Sequence, residues 1–285
     1  MCSLAAATQG MDETVNNGAQ AFYLKQFNLD GNGDRDALIT GLIVGAPYLA
    51  CSLIGCWLTS PLNKAFGRRG TIFIACSIAI VASTWESLVQ SWPSLLAARF
   101  VLGLGIGAKS ACVPLYAAEC APVPIRGALV MMWQMWTAFG IMLGNVVDVA
   151  FLETKDGLNW RLMLGSTIFL PIIVCCIVFF CPESPRWLVQ KKNIKGAFRS
   201  YSRLRPNQIL AARDMYYCYV NTELEEAVNR GKNLFLELFT VPRNRRAALA
   251  SWIVMFMQQV KLTKHVCNDP VLTKLGVRCK CDCVL

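Results

Sequence analysis

The stretch Ala37–Asn63, ALITGLIVGAPYLACSLIGCWLTSPLN, contains no charged residue. A helix that crosses the hydrocarbon core of a bilayer needs about 20 mostly apolar residues, and this stretch is longer than that. Four later runs are similar and hold at most one charge each: Gly70–Ala98, Phe100–Ala118, Gly127–Val147 and Leu162–Pro182. The sequence therefore predicts five membrane spans in an all-α, polytopic helical bundle.

Shorter apolar stretches flank these spans. Met1–Gly10 is too short to cross and lacks the basic start of a signal peptide, so we interpret it as the outer end of a helix whose beginning is missing. Another run begins at Ala247 and ends near Val260. The predicted divisions are membrane helices with a partial first helix over 1–181, a cytosolic loop over 182–246, the start of a seventh helix over 247–259, and a tail over 260–285.

The composition agrees with a membrane protein. Hydrophobic residues make up 55% of the chain and charged residues 16%, with a mean hydropathy of +0.42. Soluble domains have about 45–50% apolar and about 25% charged residues. This balance excludes a disordered chain, a nucleic-acid-binding arm and an ordinary soluble enzyme. One histidine and 18 acidic residues leave little material for a metal or hydrolytic site, and we expect no cofactor.

The net charge of +10 is distributed asymmetrically between the two sides of the predicted bundle. Basic residues concentrate in Asn63–Arg69, near Arg126 and in Glu183–Arg246, which the positive-inside rule assigns to the cytoplasm. The opposite side collects acids: Asp12, Glu13, Asp30, Asp34, Asp36, Glu153 and Asp156. Within the long cytoplasmic loop, short amphipathic helices are predicted over Lys191–Tyr201 and Ala211–Asn229.

Five local motifs carry a resemblance to a known family. They are GRR at 67–69, RFVLGLGIG at 99–107, PLYAAECAPVPIRG at 114–127, WR at 160–161 and PESPRWL at 182–188. In order and spacing the chain resembles the N-terminal half of the sugar porter family of the major facilitator superfamily, in particular fungal sugar or polyol porters. The glycines at 103, 105 and 107 remove side chains, which lets helices approach closely in lipid.

This resemblance implies a function. In that family six N-terminal helices form one half of a transporter, and substrate binds between the two halves near the midplane of the bilayer. The implied activity is transport of a sugar or polyol by alternating access, coupled to proton symport, with no enzymatic step. The implied location is a multi-pass position in the lipid bilayer of the plasma membrane. Because the second half is missing from the match, we expect an incomplete version of the fold.

The resemblance also assigns residues to proton coupling. Asp12, in the sequence Gly10-Met11-Asp12, matches the first-helix acid of proton-coupled members, and Arg99 lies just inside an apolar run, where a charge is costly without a partner. We predict that Asp12 binds the proton and that Arg99 releases it by pairing with the ionised form. The alternative is that Asp12 is an outer-loop acid. We assign no role to Glu86 or Lys109, although Lys109 could join the inner charges.

Amides are the candidate substrate ligands. Gln134 lies in the middle of an apolar run, and the resemblance implies that it contacts a sugar hydroxyl, since an amide both donates and accepts hydrogen bonds. Gln258 and Gln259 match the sugar-binding pair of the second half. The alternative for Gln134 is a bond between helices.

Charges at the predicted cytoplasmic helix ends form a candidate inner gate, because pairs that rearrange between states can hold a transporter closed in one of them. Its members are Arg68, Arg69, Glu119, Arg126, Glu183 and Arg186. For the arginines, a solvated positive-inside flank is the alternative.

The tail over 260–285 is unlike the family. A Val-Lys junction at 260–261 is consistent with the start of an intron, so we interpret the tail as intron read-through. Its cysteines match no common zinc spacing, which disfavours a metal site there. Two functions other than transport stay open: a transporter-like nutrient receptor and an inactive fragment. The sequence does not indicate which sugar or polyol is bound.

Overall fold

A computed structural model describes residues 1–27, 29, 34–152, 154, 157–229 and 241–253. These residues form helices and short connections, and no strand is present among them. The helices run in this order: α1 Cys2–Gln26, α2 Asp34–Ala50, α3 Cys56–Leu88, α4 Trp92–Cys120, α5 Arg126–Phe151, α6 Asn159–Ser166, α7 Phe169–Val178, α8 Pro185–Gln190, α9 Ile194–Leu204 and α10 Gln208–Asn229. A π-helical turn, Cys51–Gly55, joins α2 to α3, and a 3-10 turn, Val123–Ile125, precedes α5.

Four helical stretches are long and apolar enough to cross a membrane: Asp34–Leu88, Trp92–Cys120, Val123–Phe151 and Asn159–Val178. The first of these is two spans, because Gly67 interrupts α3 with a non-helical backbone. Together with α1, which is 25 residues long, the described residues therefore supply six helical segments of spanning length. We refer to the part of α3 that follows Gly67 as the third span.

The observed bounds correct the predicted ones. The chain leaves the helix between Leu88 and Trp92, so the predicted run Gly70–Ala98 ends too late and the next begins too late. In the cytoplasmic loop, the predicted helix over Lys191–Tyr201 is α9, three residues later, and α10 begins before Ala211.

The first helix also differs from the prediction. Residues 2–10 begin α1, a helix of 25 residues, and Ala5 within them packs in one cluster with Val113 and Tyr116, near the C-terminal end of α4. Farther along α1, Tyr23 packs with Trp160 at the opposite end of the bundle. Met1–Gly10 thus lies at the same end of the bundle as the loops that are predicted to be cytoplasmic, which contradicts its interpretation as the outer end of the helix. Asp12 lies about midway along α1.

Small residues set the distances between neighbouring helices. On α4, Gly103 and Gly107 lie against the α2 side, where a Cβ on Gly107 would come within 2.7 Å of the Cα of Gly55. Gly105 faces α3 instead, with its Cβ position 3.0 Å from the carbonyl oxygen of Ala75. The glycine row therefore lets α4 contact two helices on opposite faces, in agreement with the close approach that the sequence predicts.

The same principle joins α1 to α5. A Cβ on Gly140 would clash with the backbone of Ala7, and one on Gly144 would come within 2.9 Å of Thr14. Because α1 is enclosed by its neighbours, it tolerates polar residues that a lipid-facing helix would not. This explains how α1 can cross with the bundle although it is less apolar than the other spans.

Candidate functional site

A buried ion pair joins the start of the third span to the C-terminal end of α4. The Nε and Nη2 atoms of Arg68 donate to the two carboxylate oxygens of Glu119 at 2.9 and 2.8 Å. The side chains are 9% and 5% exposed. The hydroxyl group of Ser184, just before α8, donates a hydrogen bond to the same carboxylate. A two-point Arg–carboxylate contact with low exposure is among the strong polar contacts in proteins.

Glu183 caps the N-terminus of the third span. Gly67 adopts φ +75, which turns the chain there, and the next two N–H groups point at a single oxygen of Glu183. The backbone N–H groups of Arg68, Arg69 and Ser184 donate to it at 3.0, 3.1 and 3.0 Å. The first N–H groups of a helix have no partner within the helix, and a carboxylate there also complements the helix dipole.

Arg69 binds the C-terminal end of a different helix, α7. Its Nε and Nη2 atoms donate to the carbonyl oxygens of Val178 and Phe179, which close α7, at 3.1 and 2.8 Å. A cation is favourable at a helix C-terminus. Nearby, the hydroxyl of Tyr116 donates to the carbonyl oxygen of Pro182 at 2.6 Å.

Four of the predicted gate residues therefore meet in one place, which we call the inner charge cluster: Arg68, Arg69, Glu119 and Glu183, together with Ser184. Arg186 lies close by in sequence, half-buried in α8. Arg126 does not join the cluster: it is exposed at the start of α5 and forms no ion pair with any described residue. The GRR, Glu119 and PESPRWL motifs thus belong to a single structural unit.

The middle of the bundle holds a second ion pair, which the sequence did not predict. Asp12 is 5% exposed, and its Oδ2 atom lies 3.9 Å from the Nζ atom of Lys109, whose side chain is fully buried. The interpretation of Asp12 as an outer-loop acid is wrong, because the residue is enclosed within α1. Lys109 is likewise remote from the inner charge cluster and instead faces Asp12.

Arg99 has a different partner from the predicted one. Its Nε atom lies 3.4 Å from Oε1 of Glu86, and both side chains are 3% exposed. On α4, Arg99 and Lys109 are ten positions apart, a rise of about 15 Å along the axis. The cation at the depth of Asp12 is Lys109, so the direct Asp12–Arg99 pair is not formed in this conformation.

Both interior pairs are loosely bonded. The atoms that form them, Oδ2 of Asp12, Nζ of Lys109, Oε1 of Glu86 and Nε of Arg99, make no hydrogen bond with the rest of the described chain. Buried polar atoms are normally hydrogen-bonded, so each exception in a native structure calls for an explanation, and a functional role is one of them. The signal for these residues was present in the sequence: Glu86 and Lys109 are single charges within apolar runs.

The candidate substrate ligand Gln134 lies on an open face of α5. It is exposed and shares this face with Ala138, Ile141 and Asn145, at intervals of three and four residues. The side-chain amide of Asn145 donates to the carbonyl oxygen of Ile141. Gln134 makes no hydrogen bond with a described residue, so its amide is available to a ligand. The predicted partners Gln258 and Gln259 lie outside the described residues.

The WR motif closes the outer end of the bundle. Trp160 is fully buried, donates from Nε1 to the side chain of Gln26 at 2.7 Å, and meets Tyr23 and Phe27 edge to face. Arg161 donates to the carbonyl oxygen of Val89, the residue that follows α3. The motif therefore ties α6 to α1 and to the end of the third span.

Metal-binding residues are not grouped in the part of the chain that the structure describes: no cluster of three or more His, Cys, Asp or Glu side chains occurs there. The cysteines of the tail, at 279, 281 and 283, and the predicted intron read-through over 260–285 lie outside the described residues.

Comparison with known proteins accounts for the combined motifs. The family model "Sugar (and other) transporter" matches residues 1–263. The chain belongs to this sugar transporter family. The family is one of transporters in the major facilitator superfamily, and not of enzymes.

Several curated sugar transporters are similar to this family member. The myo-inositol transporter FST1 of Gibberella moniliformis is 31% identical over 264 residues, which cover 90% of this chain and 44% of the relative. The human proton myo-inositol cotransporter is 33% identical, with 88% and 38% covered. The galactose-proton symporter of Escherichia coli is 30% identical, with 91% and 52% covered. The chain thus spans about half or less of the length of these relatives.

Solved structures show the same fold. The proton:xylose symporter XylE bound to 6-bromo-6-deoxy-D-glucose superposes with a TM-score of 0.75 at 24% identity, over 84% of this chain and 55% of that one. XylE from E. coli in a partially occluded inward-open conformation gives a TM-score of 0.73 at 24% identity, over 80% and 59%. The predicted fold, an all-α membrane bundle that corresponds to the N-terminal half of a major facilitator protein, is confirmed.

Proposed function

We propose that this sugar transporter family member forms the N-terminal half of a plasma-membrane transporter that carries a sugar or polyol together with protons by alternating access. The observation that carries the proposal is the carboxylate of Asp12, enclosed midway along a membrane helix and beside a buried cation. An ionisable group at that depth is costly, and in membrane proteins it marks ion and proton paths.

The open face of α5 supplies the substrate side of the proposal. Gln134 presents a free amide there, which can donate to one sugar hydroxyl and accept from another. Transporters of this architecture bind substrate where their two halves meet. We propose that Gln134 is the contact from this half, and that Gln258 and Gln259 act from the start of the next.

We further propose that the inner charge cluster holds the cytoplasmic end of this half together. Its bonds connect the third span, α4, α7 and the segment before α8, so the cluster makes the inner ends of these helices move as one body. Rigid halves that rock around a fixed site are the mechanical basis of alternating access.

The proposal is tested by uptake of radiolabelled myo-inositol and galactose, the substrates named for the relatives above. The chain and a version extended through a C-terminal transporter half are expressed in cells that lack sugar uptake, with and without a protonophore. We expect protonophore-sensitive accumulation in the extended version. Binding without uptake would favour the receptor interpretation, and the absence of both would favour an inactive fragment.

Single substitutions separate the two parts of the proposal. In the extended version, Asp12→Asn should remove proton-driven accumulation and leave exchange of labelled for unlabelled substrate intact. Gln134→Ala should weaken substrate binding, raising the half-saturating concentration about tenfold for the loss of one good hydrogen bond. Unchanged accumulation in Asp12→Asn would reject proton coupling through this residue.

A further inference from the structure

The two ion pairs in the interior differ in depth and share one helix. Lys109 and Arg99 both extend from α4, one to Asp12 on α1 and the other to Glu86 on α3. All four side chains are nearly or fully enclosed, and the two positive and two negative charges balance. The interior thus contains a neutral set of four charges, arranged as two separate pairs.

The position of each cation along α4 determines which one can pair with Asp12. Asp12 is the eleventh residue of α1 counted from the inner end, and Lys109 is the twelfth residue of α4 counted from its inner end. Both residues are therefore about 15 Å from the cytoplasmic helix ends, since each residue adds about 1.5 Å. Arg99 lies about 15 Å farther out on α4, where its Nε atom is paired with the carboxylate of Glu86.

We propose that Lys109 is the counter-cation that holds Asp12 ionised, and that Arg99 is held by Glu86 and is not the partner of Asp12. This inference rests on the proposed function for its meaning in transport, where the proton carried is the one that Asp12 binds. Lys109 is then a positioning residue for proton uptake.

Proton binding at Asp12 has a direct consequence for Lys109. Once the carboxylate is neutral, the ammonium group is left as a buried cation with no other bonded acceptor in the described chain. An uncompensated buried charge is strongly destabilising, so the protonated state favours a rearrangement that gives Lys109 a new partner or water. Protonation of Asp12 on α1 therefore favours a change in the position of Lys109 on α4.

Among the described residues, Lys109 is the one that forms an ion pair with Asp12. Glu13 is the next residue on α1, is half-buried, and accepts a hydrogen bond from Gln9. The titratable and charged groups that interact electrostatically with Asp12 are Glu13 of α1, Tyr48 of α2, Cys76 and Glu86 of α3, and Lys109 and Arg99 of α4. On α5, Asp148 packs against Gly18, beyond the next turn of α1.

The pairing is tested by thermal unfolding of the 285-residue chain in detergent. Asp12→Asn and Lys109→Met should each lower Tm by about 6 °C or more, because each leaves a buried charge alone. The double variant should recover most of this loss. Asp12→Asn combined with Arg99→Met should show no recovery, and Glu13→Gln combined with Lys109→Met serves as the matched control.

The second measurement follows the protonation of Asp12, which would not change if Lys109 had a purely structural role. Infrared spectroscopy detects the protonated carboxyl band that Asp12→Asn removes. In Lys109→Met this band should persist to a pH about one to three units higher, because no cation then stabilises the ionised form. Arg99→Met should move it by less than half as much. A larger effect from Arg99→Met, or no recovery in the Asp12–Lys109 double variant, would overturn the proposal.

If the single variants do not fold, the exchanged pair Asp12→Lys with Lys109→Asp still decides the question. It should fold where each single exchange does not, because only the combination restores opposite charges; failure of the combination counts against the pairing. Both measurements are independent of transport. Absent uptake with intact pairing would therefore contradict only the proposed function, and failed pairing with proton-driven uptake would contradict only this inference.

Discussion

The inner charge cluster and the interior ion pairs both join basic to acidic side chains, but they are bonded in different ways. In the cluster, Arg68 and Glu119 meet through two hydrogen bonds of 2.8 and 2.9 Å, with a further bond from Ser184. In the interior, Asp12 and Lys109 lie 3.9 Å apart with no hydrogen bond between them. The fully bonded region is suited to holding helices together, and the loosely bonded region to changing its protonation state.

Among the substitutions that test this difference, Arg68→Ala is expected to lower the free energy of unfolding the most. It leaves the Glu119 carboxylate buried without its cation, which typically costs about 3–5 kcal/mol. Chemical unfolding of the chain in detergent micelles measures the loss. Arg126→Ala is the matched control, because Arg126 is exposed and should change stability by less than about 0.5 kcal/mol. Equal effects of the two substitutions would show that the cluster is not what stabilises the inner end.

A smaller effect is expected at the turn that precedes the third span. Gly67→Ala forces a side chain into a backbone conformation, φ +75 and ψ −178, that is essentially confined to glycine, which costs about 1–3 kcal/mol, and places a methyl group 3.0 Å from the carboxylate of Glu183. Unfolding should show this loss, whereas Gly127→Ala, where a Cβ meets nothing within 4 Å, should be near neutral. A neutral Gly67→Ala would mean that Glu183 does not depend on this turn.

The outer end provides a test of intermediate size. Trp160→Phe removes the Nε1–H donor together with one ring of a fully buried indole, so it leaves the oxygen of Gln26 without its bond and opens a cavity in the core. Gln26→Ala removes the same bond without this cavity and should cost about 1 kcal/mol. The double variant should cost little more than Trp160→Phe alone, since both substitutions remove the same bond. Additive losses in this cycle would contradict a direct interaction.

The smallest effect is expected from a pair outside the membrane. Arg205 donates to Asp214 at 2.7 Å, and Arg213 donates to its other oxygen. Although burial acts to raise the pKa of Asp214, hydrogen bonds from the two arginines lower it overall. A lowered pKa in the folded state means that this contribution is present above the unfolded pKa and lost as pH falls below about 4.

Asp214→Asn should therefore reduce stability at pH 7 by about 1 kcal/mol or less, because Asp214 is only half-buried and solvent screens its charge. The difference between the variant and the parent chain should shrink on acidification, which unfolding at a series of pH values would detect. A difference that stays constant with pH would indicate that Asp214 contributes through packing rather than charge.

Much of the fold was accessible from the sequence, because hydrophobic runs of spanning length indicate membrane helices independently of their packing. The exception is α1, whose polar residues hide it from a hydropathy argument. Thr8, Asp12 and Asn16 are all buried against other helices, so their environment depends on tertiary structure. For this reason the sequence placed the first ten residues at the wrong end of the helix.

The candidate site was likewise predictable from the sequence only in part. Arg68, Arg69, Glu119 and Glu183 could be identified because they recur in short motifs, and the structure brings them together. The partners of Asp12 and Arg99 could not be, because which cation reaches which carboxylate depends on the depth of each residue in adjacent helices. Glu86 and Lys109 were visible as isolated charges, but only their three-dimensional positions indicate a role.

The cap on the third span has a consequence for biosynthesis. The N–H groups of Arg68 and Arg69 are closed by Glu183, which lies more than a hundred residues later in the chain. During translation, the turn at Gly67 therefore emerges and inserts long before its capping carboxylate has been synthesised. The bonding at this end of the bundle can be completed only after the segment beyond α7 has left the ribosome, so the PESPRWL segment joins the third span to α4 after both have been synthesised.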